Sequence, residues 1–550
     1  MMHSHVPSHT SGSHATGFLS SEAPTSVLTL SCSIEKLVQG GRGLTRLKTT
    51  SEQPLPETLS GRVAWLEGVL PQEQVEAVMP PTEVQHASRK PLTLQLAHVT
   101  LPHPHRVIPR CPISEACGGC DWQHIQPEAQ ASHKLAIFKE TLTHLGGISS
   151  EWLDTGILKP VLATKPWGYR NHFQWHVAWD TTTQQPLLGF KGAKSHCIHP
   201  YEACHVIPTE AQVLYRILHA WLTALPPRLV QHPHTSIHTF DVLWEAQPQS
   251  KNGLTHVALG CLSLAPQPFK GWYTHMNQLQ EALQKEGLHL TGAYWHTSRH
   301  SASAHTWGET ELVRLLTWEA PSQTQPTPQH TVPHEMTVSH KLHQFFQVNP
   351  LGLSHMLQTL QRWATLWQQS PLPPRMLYDL YAGVGVFGQL WLHDLTSRKL
   401  FLNDPSPRPL GVLGVEANQQ SAVMAKQNWA TYASQTQPTL ETHFMALPIE
   451  KALPLIQKQC RAGKLPYPEV VILDPPRAGL SPTVKTWLHQ PPETLQHLVL
   501  VSCDMATLAR DLKDLLSNTP ESVWCLREIQ PIDMFPQTHH LEAMVWLTRG

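Results

Sequence analysis

The sequence predicts an α/β protein: a doubly wound C-terminal sheet, preceded by a small β-barrel and a centre of mixed strands and helices. Three observations carry this. From about residue 340, short apolar runs (MLYDLYAG, GVLGVEAN, EVVILDPP, HLVLVSCD) alternate with helical patterns, as buried parallel strands do when each ends in polar or Gly residues. Residues 29–97 hold several short alternating runs between turns, the spacing of a small barrel. From about 165 to 320, strand patterns such as HFQWHVAW, HVALGCLSL and GLHLTGAYW mix with a few helical ones.

The bulk numbers agree. At 550 residues with 41% hydrophobic side chains, the chain can bury several cores, and about 150 residues per domain suggests three to four domains. Forty Lys and Arg against 41 Asp and Glu leave a net charge of -1, which excludes a strongly basic coat but not a local basic groove. Forty-eight prolines predict many loops and few long helices. The 37 His make the charge sensitive to mildly acidic pH. No apolar run approaches the ~18 residues of a membrane span. The opening MMHSHVPSHTSGSHATG lacks the basic-then-apolar pattern of a secretory signal. It reads as a disordered tail, in preference to loose metal binding by His3, His5, His9 and His14. A cytoplasmic address is expected, where ten Cys are candidates for metal binding or catalysis before disulfides.

In chain order, the tail covers 1–28. The barrel of 29–97 comprises LTLSCSIEKL, a GGRG turn at 40–43, GRVAWLEGVL, QVEAVM and LTLQLAHV. A central domain follows over 98–335, opening with a Cys cluster and closing on PSQTQPTPQHTVP at 321–333, read as a loop or linker. The α/β domain covers 336–550. Its sites are expected at the carboxyl ends of the strands, where Asp379, Glu416, Asp474 and Cys503 fall.

Five constellations carry chemistry. LYDLYAGVGVFG runs a strand into a turn holding Gly383, Gly385 and Gly388, and glycines let backbone approach a ligand closely. GVGVFG formally matches a dinucleotide fingerprint, but the next acid, Glu416, comes 33 residues after Gly383 where a dehydrogenase wants one about 20 on. Glu416 can still accept ribose hydroxyls, a contact that S-adenosylmethionine and NAD both require. In ILDPPRAGL, two prolines stiffen the turn after Asp474. In LVSCDMATLARDL, Cys503 ends a strand and precedes a helix, whose N-terminus lowers a thiol pKa. In MFPQTHHLEAMVWL, Glu542 is a general base if the fold brings it to Cys503. Each of these has an ordinary reading when taken singly: a bare Gly turn, a strand-end acid, an inert buried Cys, an edge Glu. Cys111-x5-Cys117-Gly-Gly-Cys120 is a strong metal or cluster signal that needs a fourth ligand, with Cys197 and Cys204 both downstream. Spacing does not choose between zinc and an iron–sulfur cluster.

Together, and over about residues 29 to 550, these motifs resemble the S-adenosylmethionine-dependent RNA uracil-C5 methyltransferases. The resemblance is to the TRAM-domain, iron–sulfur type, and most of all to the 23S rRNA enzymes. It implies that 29–97 is a TRAM domain, an OB-like RNA-binding barrel, and that 336–550 is a Rossmann-like methyltransferase domain. It implies a [4Fe–4S] cluster on Cys111, Cys117 and Cys120, with Cys204, before HVIP, fitting the fourth ligand better than Cys197. YRNHFQWHV at 169–177 resembles the start of the family's central domain. FFQVNP at 345–350 implies that Gln347 contacts S-adenosylmethionine, with Tyr381, Gly383, Gly385, Glu416 and Asp474 completing the pocket. SCDMATLARD implies Cys503 as nucleophile, and DMFPQTHHLE implies Glu542 as base.

Departures from the family pattern are Ala382, Val386 and Asp504. Val386 has no side-chain hydrogen bond to offer. The charge of Asp504 should raise the thiol pKa if it points inward. The implied partner is RNA, with ribosomal RNA favoured over the tRNA T-loop; no membrane and no protein partner are implied. Two rivals remain. A non-catalytic RNA-binding protein could share the fold, and an NAD-dependent oxidoreductase would leave SCDMATLARD and FPQTHHLE without a role.

Overall fold

A computed structural model describes residues 28–49, 55, 57–80, 90–193, 195–231, 237–245, 255–263, 265, 267–297, 305–309, 311–321, 331–397, 408–433, 440–517 and 523–550. The tail of 1–28 lies outside these residues apart from its last position. The chain forms two compact units, one running up to Lys36 and again from Gly43 to Pro102, the other comprising Leu37–Arg42 and His103–Gly550.

In the first unit, strands Leu28–Ser33, Gln74–Met79, Leu92–Leu101, Val63–Leu66 and Arg42–Arg46 lie side by side in that order. Alternation sends Leu30 and Cys32, then Val75, Ala77 and Met79, into one small core with Leu66 and Leu94. The pairing is antiparallel except where Val63–Leu66 meets Leu92–Leu101.

The second unit carries two seven-stranded sheets. The central one runs His305–Gly308, Leu288–His296, Thr255–Ser263, Ile237–Glu245, His172–Asp180, Gln185–Lys191, Ile198–His199. Helices Ala211–Ala224 and Trp272–Gln284 bury Leu214, Leu218, Met276 and Leu279 in its core. The ends of the segment read as a linker belong to a β-hairpin, Glu311–Pro321 against Thr331–Lys341. Residues 335 and 336 therefore lie within a strand, and 322–330 fall outside the described residues. β-branched and apolar residues on both sides of the Pro/Gln/Thr stretch favour pairing over an open connection.

The C-terminal sheet has seven strands: β1 (Met376–Leu380), β2 (Gly411–Val415), β3 (Glu441–Met445), β4 (Val470–Leu473), β5 (His497–Ser502), β6 (Trp524–Ile532) and β7 (Glu542–Arg549). Their order is β3-β2-β1-β4-β5-β7-β6, with β7 antiparallel to both neighbours. β1, β2 and β4 are buried at every position, which is why they read as unbroken apolar runs rather than alternation. The chain reverses direction beside β1, opening the crevice at the carboxyl ends where ligands bind in such sheets.

Proline does not keep the helices short. Pro127–His144 and Pro350–Trp367 each span 18 residues. Both place proline at the helix start, where its missing N–H costs nothing and its fixed φ suits the turn. Among the described residues, no helix is long and apolar enough to cross a membrane.

Candidate active site

Register brings two distant residues together. The last rung between β5 and β7 pairs Ser502 with Ala543. Cys503 directly follows that rung on the β5 side, and Glu542 directly precedes it on β7, where it pairs with Ile532. Both line a single cavity of about 1220 Å³, together with Gln347, Tyr381, Gly383, Glu416, Asp474 and Arg477. Of the residues the sequence proposed for this pocket, Gly385 does not line the cavity. It shapes the turn from behind, with φ 84° and its carbonyl accepting Trp429 Nε1 at 2.7 Å.

The glycine turn is pinned by Glu416. One carboxylate oxygen accepts the Gly383 N–H at 2.9 Å and the other accepts the Asn418 N–H at 2.7 Å. Remaining lone pairs on Glu416 stay available to hydroxyl donors. Tyr381 sits just before the turn at φ 65°, a left-handed conformation that non-glycine residues adopt mainly where surrounding structure imposes it. Beneath the turn, buried Asp379 accepts the Gly388 N–H at 2.8 Å, and burial raises its pKa to about 7. Val386 opens helix Val386–Ser397 and packs on the apolar core.

The electrostatics differ from the sequence expectation at Cys503. A helix does begin just after it, at Met505, but the thiol pKa is raised, not lowered. Burial contributes most, Glu542 and Asp474 add to it, and Arg477 pulls the other way. Asp504 is not among these causes. Its side chain caps the helix, accepting the Thr507 N–H at 2.9 Å, so its charge is spent on the helix N-terminus. Glu542 is raised to about 8, by burial first and then by Asp474, with Arg477 opposing. Asp474 is raised to about 7, by burial and then Asp379.

Arg477 is the residue that sequence reasoning missed. It lies in the quoted ILDPPRAGL, three positions past Asp474. It is the one cation acting on both Cys503 and Glu542 among the causes resolved for them.

The loop that delivers Glu542 connects β6 to β7 over residues 533–541. Its first five carbonyls are all bound by donors from outside it. Thr164 Oγ1 donates to Asp533 O at 2.9 Å, Asn349 Nδ2 to Met534 O at 3.1 Å, and Lys134 Nζ to Phe535 O at 3.1 Å. Tyr169 OH donates to Pro536 O at 3.0 Å, and the Asp121 and Trp122 N–H groups to Gln537 O at 3.1 and 3.0 Å. Asp121 also accepts the His539 N–H at 3.0 Å and meets its ring Nδ1.

The cysteine motif borders the same cavity. Cys111, Cys117, Cys120 and Cys204 all line it, whereas exposed Cys197 does not. Burial pushes Cys120 up to about 12 and Cys204 up to about 11, and each is raised further by the other cysteines. A sulfur-only donor set of this kind suits an iron–sulfur cluster or zinc. Among the described residues, however, no group of three or more His, Cys, Asp or Glu is placed to hold a metal ion.

The comparisons with known proteins fall in line with this geometry. A family model described as tRNA (Uracil-5-)-methyltransferase matches residues 466–550, the stretch that holds Asp474, Arg477, Cys503 and Glu542. The chain is 26% identical to an uncharacterised RNA methyltransferase of Gloeobacter violaceus, over 95% of this chain and 97% of that protein. It is 27% identical to the 23S rRNA (uracil(1939)-C(5))-methyltransferase RlmD of Shewanella frigidimarina, over 88% and 90%. In fold it is similar to the Pyrococcus abyssi tRNA (uracil-54, C5)-methyltransferase solved with S-adenosyl-L-homocysteine, with TM-score 0.57 and 18% identity over 94% of this chain and 99% of that one. The chain is thus similar over most of its length to RNA uracil-C5 methyltransferases, and its residues 466–550 match their family model.

Proposed function

We propose that this protein transfers a methyl group from S-adenosylmethionine to C5 of a uridine, with ribosomal RNA as its substrate. The observation that carries the reading is that Cys503 and Glu542 line the wall of one cavity, with Glu542 close enough to raise the Cys503 thiol pKa, beside a glycine turn pinned by a ribose-competent carboxylate. The names borne by the relatives support ribosomal RNA; the tRNA names of the family model and the fold neighbour mark the alternative.

Uracil C5 is too poor a nucleophile to take a methyl group unaided. Cys503 as thiolate adds to C6, and the C5=C6 electrons move onto C5 and O4. S-adenosylmethionine supplies an electrophilic methyl carbon, to which C5 bonds as the carbon–sulfur bond breaks and S-adenosylhomocysteine leaves. Glu542 then takes the C5 proton. The C5–H electron pair restores C5=C6 and expels the Cys503 thiolate, so that one proton is released per methyl transferred. Arg477 favours the charged forms that both residues need. Gln347, Tyr381, Gly383, Glu416 and Asp474 form the methyl-donor pocket, with Gly385 shaping the turn behind it. A uridine reaches this depth only by leaving its stack, and the cavity has room for it.

Cys111, Cys117, Cys120 and Cys204 would hold a [4Fe–4S] cluster. The methyl transfer is a two-electron polar reaction without a redox step, so a cluster held there would serve to order its segment and the adjoining RNA surface. Residues 29–97 act as the TRAM barrel and, with the central domain, grip RNA by shape, phosphate and stacking.

The test is methyl transfer from labelled S-adenosylmethionine to unmodified ribosomal RNA and to tRNA in parallel, with Cys503→Ala as control. Label recovered as 5-methyluridine in ribosomal RNA and absent from the control is expected. Label in tRNA alone moves the substrate to the alternative, and label in neither overturns the reading.

A further inference from the structure

Glu542 follows a loop that is tied to distant parts of the chain. It holds a buried residue, Gln537, at φ 69°, and each of its first five carbonyls accepts from a donor far away in sequence, Phe535 O also from Thr538 within the loop. Most of those donors belong to one stretch, Asp121 to Tyr169, which starts directly after the last cysteine of the motif.

The centre of this arrangement is Gln130, which is 1% exposed. Its Oε1 accepts the Gln537 N–H at 2.8 Å, and its Nε2 donates to Gln537 Oε1 at 3.0 Å. The same Nε2 reaches Trp122 O at 3.2 Å and Ile125 O at 3.0 Å. One amide therefore ties the turn after the cysteine motif to the loop before Glu542. One helical turn later, on the same face of Pro127–His144, Lys134 is fully buried. It donates to Asp533 Oδ1 at 2.7 Å as well as to Phe535 O at 3.1 Å. An ammonium is buried only when its partner is in place, so this pair holds the loop in a single position.

We propose that Gln130, Lys134 and Tyr169 are positioning residues that set Glu542 for the last chemical step, removal of the C5 proton and release of Cys503. None of the three lines the cavity. They act chiefly on the resolution of the covalent RNA adduct, because the hydrogen bonds of Gln130, Lys134 and Tyr169 to this region all go to the loop before Glu542, although the helix that carries Gln130 and Lys134 also packs against the helix after Cys503. The inference rests on the uracil-C5 reading given above.

The test uses Gln130→Met, which keeps the volume and loses all four side-chain hydrogen bonds. Tyr169→Phe, which loses one hydroxyl, serves as a second variant where Gln130→Met fails to fold. Wild type and Glu542→Gln are run beside them on in vitro-transcribed 23S rRNA. The readouts are kcat, KM for S-adenosylmethionine, the SDS-stable protein–RNA complex, and methylation of the RNA trapped in it.

The expected result is a fall in kcat of about tenfold to hundredfold from misplacing a catalytic group, with an unchanged KM. A complex carrying methylated uridine accumulates, as it does for Glu542→Gln. A fall in kcat without complex, or both variants turning over as wild type does, overturns the positioning role while leaving the function intact. A wild type that does not methylate the transcript, or a Glu542→Gln variant that traps nothing, overturns the underlying reading instead.

Discussion

Asp474 and Glu542 share the cavity wall, and the first raises the proton affinity of the second, on top of burial. Glu542 consequently holds its proton up to about pH 8. The base is active only when ionised, and the thiol is also raised, so both requirements favour alkaline conditions. Turnover is expected to climb with pH through about 8, and a kcat profile between about pH 6 and about pH 10 reads it directly. A profile flat from neutrality upward would contradict this.

The same shift makes a stability statement. A carboxyl raised in the folded state favours folding below its unfolded pKa and loses that contribution as pH rises through the folded value. Glu542→Gln removes the cost of ionising a buried group. Its melting temperature should match wild type below about pH 4 and exceed it above about pH 8. Calorimetry at the two extremes decides it.

Arg477 opposes the rise at both Cys503 and Glu542. Arg477→Met should therefore displace the whole kcat profile to higher pH, and the activity lost at neutral pH should be partly recovered under alkaline conditions. A variant equally impaired at every pH would show that the guanidinium acts by packing alone.

Cys204 borders the cavity with the motif cysteines, whereas Cys197 is exposed away from it. Cys204→Ser should lower bound iron and acid-labile sulfide by at least about tenfold, the scale on which losing a metal ligand acts. Cys197→Ser should leave both unchanged. Iron and sulfide assays on anaerobically purified protein compare the two, and equal contents in both variants would remove Cys204 from the ligand set.

Gly385 has no room for a side chain. A Cβ there would lie 2.6 Å from Trp429 Nε1 and 2.9 Å from the Ala425 Cβ, at a φ of 84°. Gly385→Ala should destabilise the protein by about 1–3 kcal/mol and weaken S-adenosylhomocysteine binding, because the turn that Glu416 pins would shift. Chemical denaturation and calorimetric titration measure the two effects.

What the sequence made legible was local. Strands buried on both faces announce themselves as apolar runs, and the strand ends at Asp474 and Cys503 followed from those runs. Glu542 could be named, but its partner depended on the β5–β7 register, which no local pattern encodes. The 533–541 clamp was invisible for the same reason: Gln130 and Gln537 are 407 residues apart, and a side-chain amide meeting a distant backbone leaves no periodicity. Arg477 was passed over because a guanidinium directly after a proline pair looks like surface until the charges around it are placed. At Cys503 the sequence suggested a helix end that lowers the pKa, while the structure adds burial and two carboxylates, and these prevail.

The cysteine motif and the reactive thiol open onto a single cavity, and this gives the protein a timing of vulnerability. On the function proposed above, an RNA seated with its uridine at Cys503 would occupy the cavity that Cys117, Cys120 and Cys204 also line. Engagement with substrate would then shield those sulfurs, and the idle enzyme, not the working one, would be the form open to oxidation.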